Sequence, residues 1–210
     1  MKKVTSIFMI LFVFAVLTPG LLFAQNTEKK NTNQSEKVKK CDSLWYYGID
    51  LSHVRVTDGA KISRSIKYSS VYPSAWVAFV EKELPPYTTV QPELQKKVFY
   101  YVQDEVQNHT QKVSPNFIIG TNYSFPVDTL IKAVKSYKLS RSSGIGLVII
   151  PENFNKNYES ASSWITFFDI GTRELLWTVK VTGACQHMGY TAHWGSGIVE
   201  GFKSFINSSY

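Results

Sequence analysis

A single mixed α/β domain is the fold class that the 210-residue sequence predicts, on three observations. The run GIGLVIIPENF (144–154) is almost wholly apolar, as expected for a central strand covered on both faces. The segments SSWITFFDI and ELLWTVKVT flank Gly171-Thr172-Arg173 as a β-hairpin. Around them lie stretches whose apolar residues recur at three- and four-residue spacing, the pattern of helices packed on a sheet. About five strands and about four helices are expected, with the hairpin followed by a C-terminal helix.

The first 24 residues read as a secretory signal peptide: Lys2 and Lys3, an apolar run from Ile7 to Leu17, a Pro19-Gly20 break and Ala24. That run is short for a bilayer span, and no later apolar run is long enough for one. No Cys lies near the cleavage site, which argues against a lipid anchor. Residues 25–40, QNTEKKNTNQSEKVKK, hold one apolar residue, Val38, and are expected to be a flexible polar tether. The remaining chain, 41–210, suits one domain.

The formal charge of +7 sits mostly outside that domain. Two lysines belong to the signal, and the tether carries five lysines against two glutamates, which leaves +2 for residues 41–210. Acidic and basic residues are interspersed there, without the basic stripe of a nucleic-acid binder, so no nucleic acid is expected as a partner.

Within the domain, LWYYGIDLSHVRV (44–56) reads as a long first strand broken near Gly48. Ser74 is expected to cap the helix AWVAFVEKEL, which Pro85-Pro86 ends. QPELQKKVFYYVQDEVQNH has Pro92 at a first helical position and Leu94, Val98, Tyr101, Val102 and Glu105 along one face, so a second helix is expected. NFIIGTNYS (116–124) reads as a short strand, and Pro126 starts the helix VDTLIKAVKSYK. In the hairpin's second strand, Leu175, Trp177, Val179 and Val181 share one face and are assigned to the core. The last helix repeats Trp194, Ile198, Phe202 and Phe205, and its three glycines lower helix propensity while permitting close approach to the sheet.

The stretch TGACQHMGYTAHW (182–194) concentrates chemistry: one of two cysteines and two of four histidines. Cys185, His187 and His193 can supply three zinc ligands, with Cys41, His53 or a carboxylate as a fourth, yet no Cys-x-x-Cys or His-x-x-x-His pair is present. A Cys185 nucleophile would need a positioned His, and no nucleophile-elbow signature surrounds it. Gly144-Ile-Gly146 opens a strand and is not a phosphate cradle. An even number of cysteines in an exported chain favours a Cys41–Cys185 disulfide, provided that the first and last strands run antiparallel. In that reading Gly183 and Gly189 turn the chain, Trp194 anchors the helix, and neither metal nor cofactor is expected.

The succession GIGLVIIPENFNKNYESASSWITFFDIGTRELLWTVKVTG, a Gly-containing turn and an aromatic-led helix, resembles uncharacterised secreted proteins of the Bacteroidetes. YYGIDLSHVRV resembles the start of the same family. Gly183, Gly189 and Trp194 match its pattern, whereas Cys185, His187 and His193 depart from it. The resemblance implies a fold and an exported, periplasmic or cell-surface location, and lends no catalytic residues. The function expected is that of a non-enzymatic envelope protein binding a protein or glycan partner, with exposed aromatics of WYYG or VFYY as the contact surface. The alternative is a metal-dependent or Cys/His hydrolase centred on residues 185–193. If the signal is read correctly, N-terminal sequencing of protein from the native host begins at Gln25; a start at Met1 rejects it.

Overall fold

The computed structural model describes residues 33–57, 72–84, 94–106, 113, 117–186 and 189–209. The expected signal peptide, residues 25–32 of the expected tether and His187 lie outside them. The chain forms α1 (33–40), β1 (Ser43–Ile49), β2 (Arg55–Thr57), α2 (Tyr72–Glu83), β3 (Val98–Tyr101), a helical turn α3 (104–106), β4 (Ile118–Ile119), α4 (Val127–Ser136), β5 (Ile145–Asn155), β6 (Ser160–Asp169), β7 (Leu175–Ala184) and α5 (Tyr190–Ser209).

All eleven residues of β5 are buried, because the strand is paired along both edges and covered on both faces. On one edge it carries two parallel strands end to end. Trp45 and Tyr46 of β1 lie beside Gly146 and Leu147, whereas Arg55–Thr57 of β2 lie beside Asn153–Asn155. The expected long first strand therefore exists in two pieces. Its interruption begins at Gly48, whose φ of +83° suits glycine where the register shifts between Tyr46 and Ile49. β3 and β4 extend the sheet beyond β1 and β2, both parallel. On the other edge, β6 and β7 add the antiparallel hairpin.

One sheet face carries the larger core, where α2 and α5 pack on each other and Trp76 and Trp194 meet Phe154. The opposite face is covered by α4 through Leu130, Ala133 and Val134, against Val148, Ile150 and Phe168. No helix among the described residues is long and apolar enough to cross a membrane.

Several expectations are corrected. The mixed α/β sheet is as expected, with seven strands among the described residues where about five were expected, since the first is split and VFYY is a strand. The helix expected over 91–109 gives way there to β3: four β-branched and aromatic residues gain a parallel pairing to Ser43–Tyr46 that helical periodicity does not register. Ser74 lies inside α2, which starts two residues earlier. Residues 33–40 are a helix rather than tether. Val38 is fully buried in the core, and Lys96 Nζ donates to Val38 O and Lys39 O, both at 2.7 Å, satisfying carbonyls at the helix end. Leu175 leaves the face of Trp177, Val179 and Val181, because a bulge pairs Phe168 with Leu175 and Phe167 with Trp177.

The disulfide is also corrected. β1 is parallel to β5, and β7 is antiparallel to β6, which is antiparallel to β5, so β1 and β7 point the same way. Cys41 precedes the start of one and Cys185 follows the end of the other. Register puts Trp45 beside Gly146 and Ala184 in the row of Asn155, so the thiols sit at opposite ends of the sheet. Nine strand residues span about 30 Å, against the Cα separation of under about 7 Å that a bridge requires. Both cysteines are free.

Gly183 lies within β7 rather than in a turn, and it sets the seating of α5. A Cβ there would overlap the backbone of Gly197 and Gly201, so strand and helix touch main chain to main chain. A Cβ at Gly197 would lie 2.7 Å from Ala161 Cβ and from Cys185 Sγ. Gly183→Ala is expected to cost about 3 kcal/mol by forcing α5 off the sheet. Gly120→Ala, with no atom near its added methyl, should stay within about 0.5 kcal/mol of wild type. Urea unfolding of both variants checks this, and equal stabilities would remove the close-contact argument.

Candidate binding cleft at the hairpin edge

The stretch 182–194 folds as a packing joint. Cys185 follows β7, its N–H donating to Glu159 O at 2.7 Å, and its side chain lies buried under α5. Burial pushes the thiol up to about 12, against the lowering effect of a hydrogen bond from the Gly197 backbone, so Cys185 is a neutral thiol near pH 7. Ser196 Oγ accepts from Gln186 N at 3.1 Å and donates to His193 O at 2.8 Å, tying the strand end to the helix. His193 is half-buried in the first turn of α5, edge-on to Trp194 at 4.7 Å. Gly189, with φ of +90°, precedes that turn, and Trp194 stacks on Phe154 at 5.2 Å. Among the described residues no group of three His, Cys, Asp or Glu side chains is placed to hold a metal ion. The other candidate ligands are remote: Cys41 lies at the far end of the sheet, and His53, in the break between β1 and β2, faces Phe125 at 5.9 Å.

A cleft of about 580 Å³ lies along the outer edge of β7, within the usual range for small-ligand sites. α4 supplies Val127 and Ile131, the hairpin supplies Trp164, Trp177 and Thr178, and α1 closes it with Gln34 and Ser35. Val127 is 43% exposed at its mouth. Lysines crown both indoles: Lys180 Nζ lies 5.6 Å from the Trp164 ring centre, and Lys39 Nζ lies 5.6 Å from that of Trp177. Phe125 stacks on Trp164 and Phe167 on Trp177.

The Trp164 wall is fixed by Glu152, a fully buried carboxylate at the irregularity between Pro151 and Asn153. Its Oε1 accepts from Ser124 Oγ at 3.0 Å, Phe125 N at 3.0 Å and Trp164 Nε1 at 3.2 Å, while Oε2 forms an ion pair with Lys180. Lys180 Nζ also donates to Ser124 Oγ at 3.2 Å. A carboxylate with this many charge-assisted bonds is held as a clamp between β5, β6, β7 and the entry to α4. Asp50, also buried, accepts from Tyr137 Oη at 2.6 Å and Ser52 N at 2.9 Å.

The expected aromatic surface is divided. Tyr46 and Tyr47 are core, whereas Tyr100 and Tyr101 of β3 are 44% and 39% exposed. Tyr100 stacks on Trp45 at 4.9 Å, and the Arg141 guanidinium lies 4.0 Å from that indole's centre. Sequence reading missed Glu152, Lys180 and Lys96 because nothing in a run such as IIPENF distinguishes a clamping Glu from a solvated one. The Pro just before Glu152, interrupting an apolar strand, was the signal of a bulge.

Comparisons with protein-family models, with curated proteins and with solved structures find no match.

With its thiol buried and neutral, Cys185 is expected to be alkylated in the folded protein at pH 8 about tenfold more slowly than Cys41, the two becoming equivalent in denaturant. Peptide mass mapping over time checks this; a Cys185 that reacts first would restore the nucleophile reading.

Proposed function

We propose that this chain is an exported, non-enzymatic envelope protein that binds a protein or glycan partner, with a short glycan the occupant that the cleft favours. The observation that carries this reading is the cleft itself: two indoles beside the Thr178 hydroxyl and the Gln34 and Ser35 side chains. Sugars need this pairing, since an aromatic face takes the apolar C–H face of the ring while hydroxyl and amide groups meet its rim. Lys180 stays in its ion pair with Glu152 beside the Trp164 ring and offers an N–H to a sugar hydroxyl, whereas the long stem of Lys39 can rotate so that a sugar ring meets Trp177 without moving the backbone. Glu152 supports the reading by holding the Trp164 indole from behind, which limits the entropy lost on binding.

Val127→Glu tests it without touching the core, because Val127 is exposed at the cleft mouth. A screen of cell-envelope glycans followed by calorimetry is expected to find a ligand for the wild type. The variant should bind it at least about tenfold more weakly with an unchanged melting temperature. Binding that Val127→Glu leaves intact would remove the cleft from the function. Binding only to a protein would select the other partner class.

A further inference from the structure

The topology that separates the two cysteines leaves Cys41 with a different neighbour. Cys41 is half-buried between α1 and β1, and its Sγ donates to Val38 O at 3.1 Å. Lys96 Nζ donates to the same carbonyl at 2.7 Å and to Lys39 O at 2.7 Å. Sulfur and nitrogen therefore share one acceptor, the Val38 carbonyl, which holds the two side chains next to each other. Lys96 is only 4% exposed, so little water competes around its nitrogen.

We propose that Cys41 and Lys96 form a redox-made covalent crosslink, in which oxidised Cys41 is captured by the Lys96 amine as a sulfur–nitrogen bond. The oxidant is hydrogen peroxide. The thiol attacks it to give the sulfenic acid and one water, so sulfur loses two electrons and peroxide gains them. The Lys96 ammonium gives a proton to solvent. Its free amine attacks the sulfenic sulfur, forming the Sγ–Nζ bond and breaking the S–OH bond, and a second water leaves. The second step needs no further oxidant.

Burial favours capture, because it pushes Lys96 down from the ordinary lysine range and brings the neutral amine within reach of milder alkaline pH. The Cys41 thiol is pushed up, mainly by burial and against the charge of Lys96, so the first step is slow near neutrality and quickens as pH rises. The bond closes the chain from residue 41 to residue 96 and staples the start of the β1–β3 pair to the end of α1.

The test treats the reduced protein with hydrogen peroxide and reads intact mass, peptide map and melting temperature. Expected is a loss of about 2 Da, a linked peptide pair containing Cys41 and Lys96, and one remaining alkylatable thiol. Dithiothreitol should reverse all three, and the linked form should melt on the order of 5 °C higher. Lys96→Arg retains a cation that donates to the α1 carbonyls and has no amine to capture sulfur, so it should fold, lack the linked pair, and carry Cys41 on to the sulfinic acid. A wild-type Cys41 that goes directly to sulfinic acid, forms only intermolecular disulfides, or links to another lysine overturns the proposal. So does a linked pair about 14 Da heavier than the reduced protein, since that product keeps an oxygen.

Discussion

The pairing of β5 on both edges and its covering on both faces is the constraint from which the rest of the structure follows. An eleven-residue strand with no exposed position cannot carry polar side chains without partners, and the polar ones it does carry are placed at one end. Glu152 is bonded to Ser124, Phe125, Trp164 and Lys180, Asn153 accepts from Thr57 Oγ1 at 2.7 Å, and Asn155 donates to Asn122 at 2.6 Å. Those bonds bring in β2, the segment after β4 and the hairpin. The apolar half of the strand recruits α4 on one face and α2 with α5 on the other. The cleft is a by-product of the same arrangement, since its Trp164 wall is held by the polar end of β5.

The parts of the fold legible in the sequence are those where one local signal coincides with one tertiary role. The apolar run of β5, the Gly-Thr-Arg turn of the hairpin, the Pro126 start of α4 and the Trp194–Phe205 stripe of α5 each meet that condition. Asp169 strengthens the hairpin turn, its Oδ1 accepting from Gly171 N and Thr172 N, both at 3.0 Å. The misread segments are those where long-range pairing overrides local pattern. VFYY has helical spacing with its neighbours, yet it finds β1 some fifty residues earlier in the chain. Val38 stands alone in a polar stretch, yet one fully buried side chain, an i,i+4 Glu36–Lys40 pair and a lysine on its terminal carbonyls suffice to hold a helix on the core.

The candidate site was less legible, for a physical reason. Sequence draws the eye to clustered nucleophiles and ligands, and the 182–194 cluster is a place where a strand must meet a helix at backbone contact. Small residues are required there, and Cys185 serves as one of them, a small apolar filler under Gly197. The cleft assembles from α1, α4 and the hairpin, with α1 about ninety residues before α4 in the chain, and none of its lining residues is chemically conspicuous alone.

The strand order also governs when the fold can form. As the chain lengthens from its N-terminus, β1 and β2 emerge about a hundred residues before β5, the strand that both must flank. Until then β1 has only the four-residue parallel pairing to β3, and β2 only two residues of β4, too little to stand in water. The first two thirds of the chain thus stay without a sheet during synthesis, and assembly waits for the last third to arrive. A chain that cannot close early remains threadable through a translocation pore, a property that suits the export proposed above.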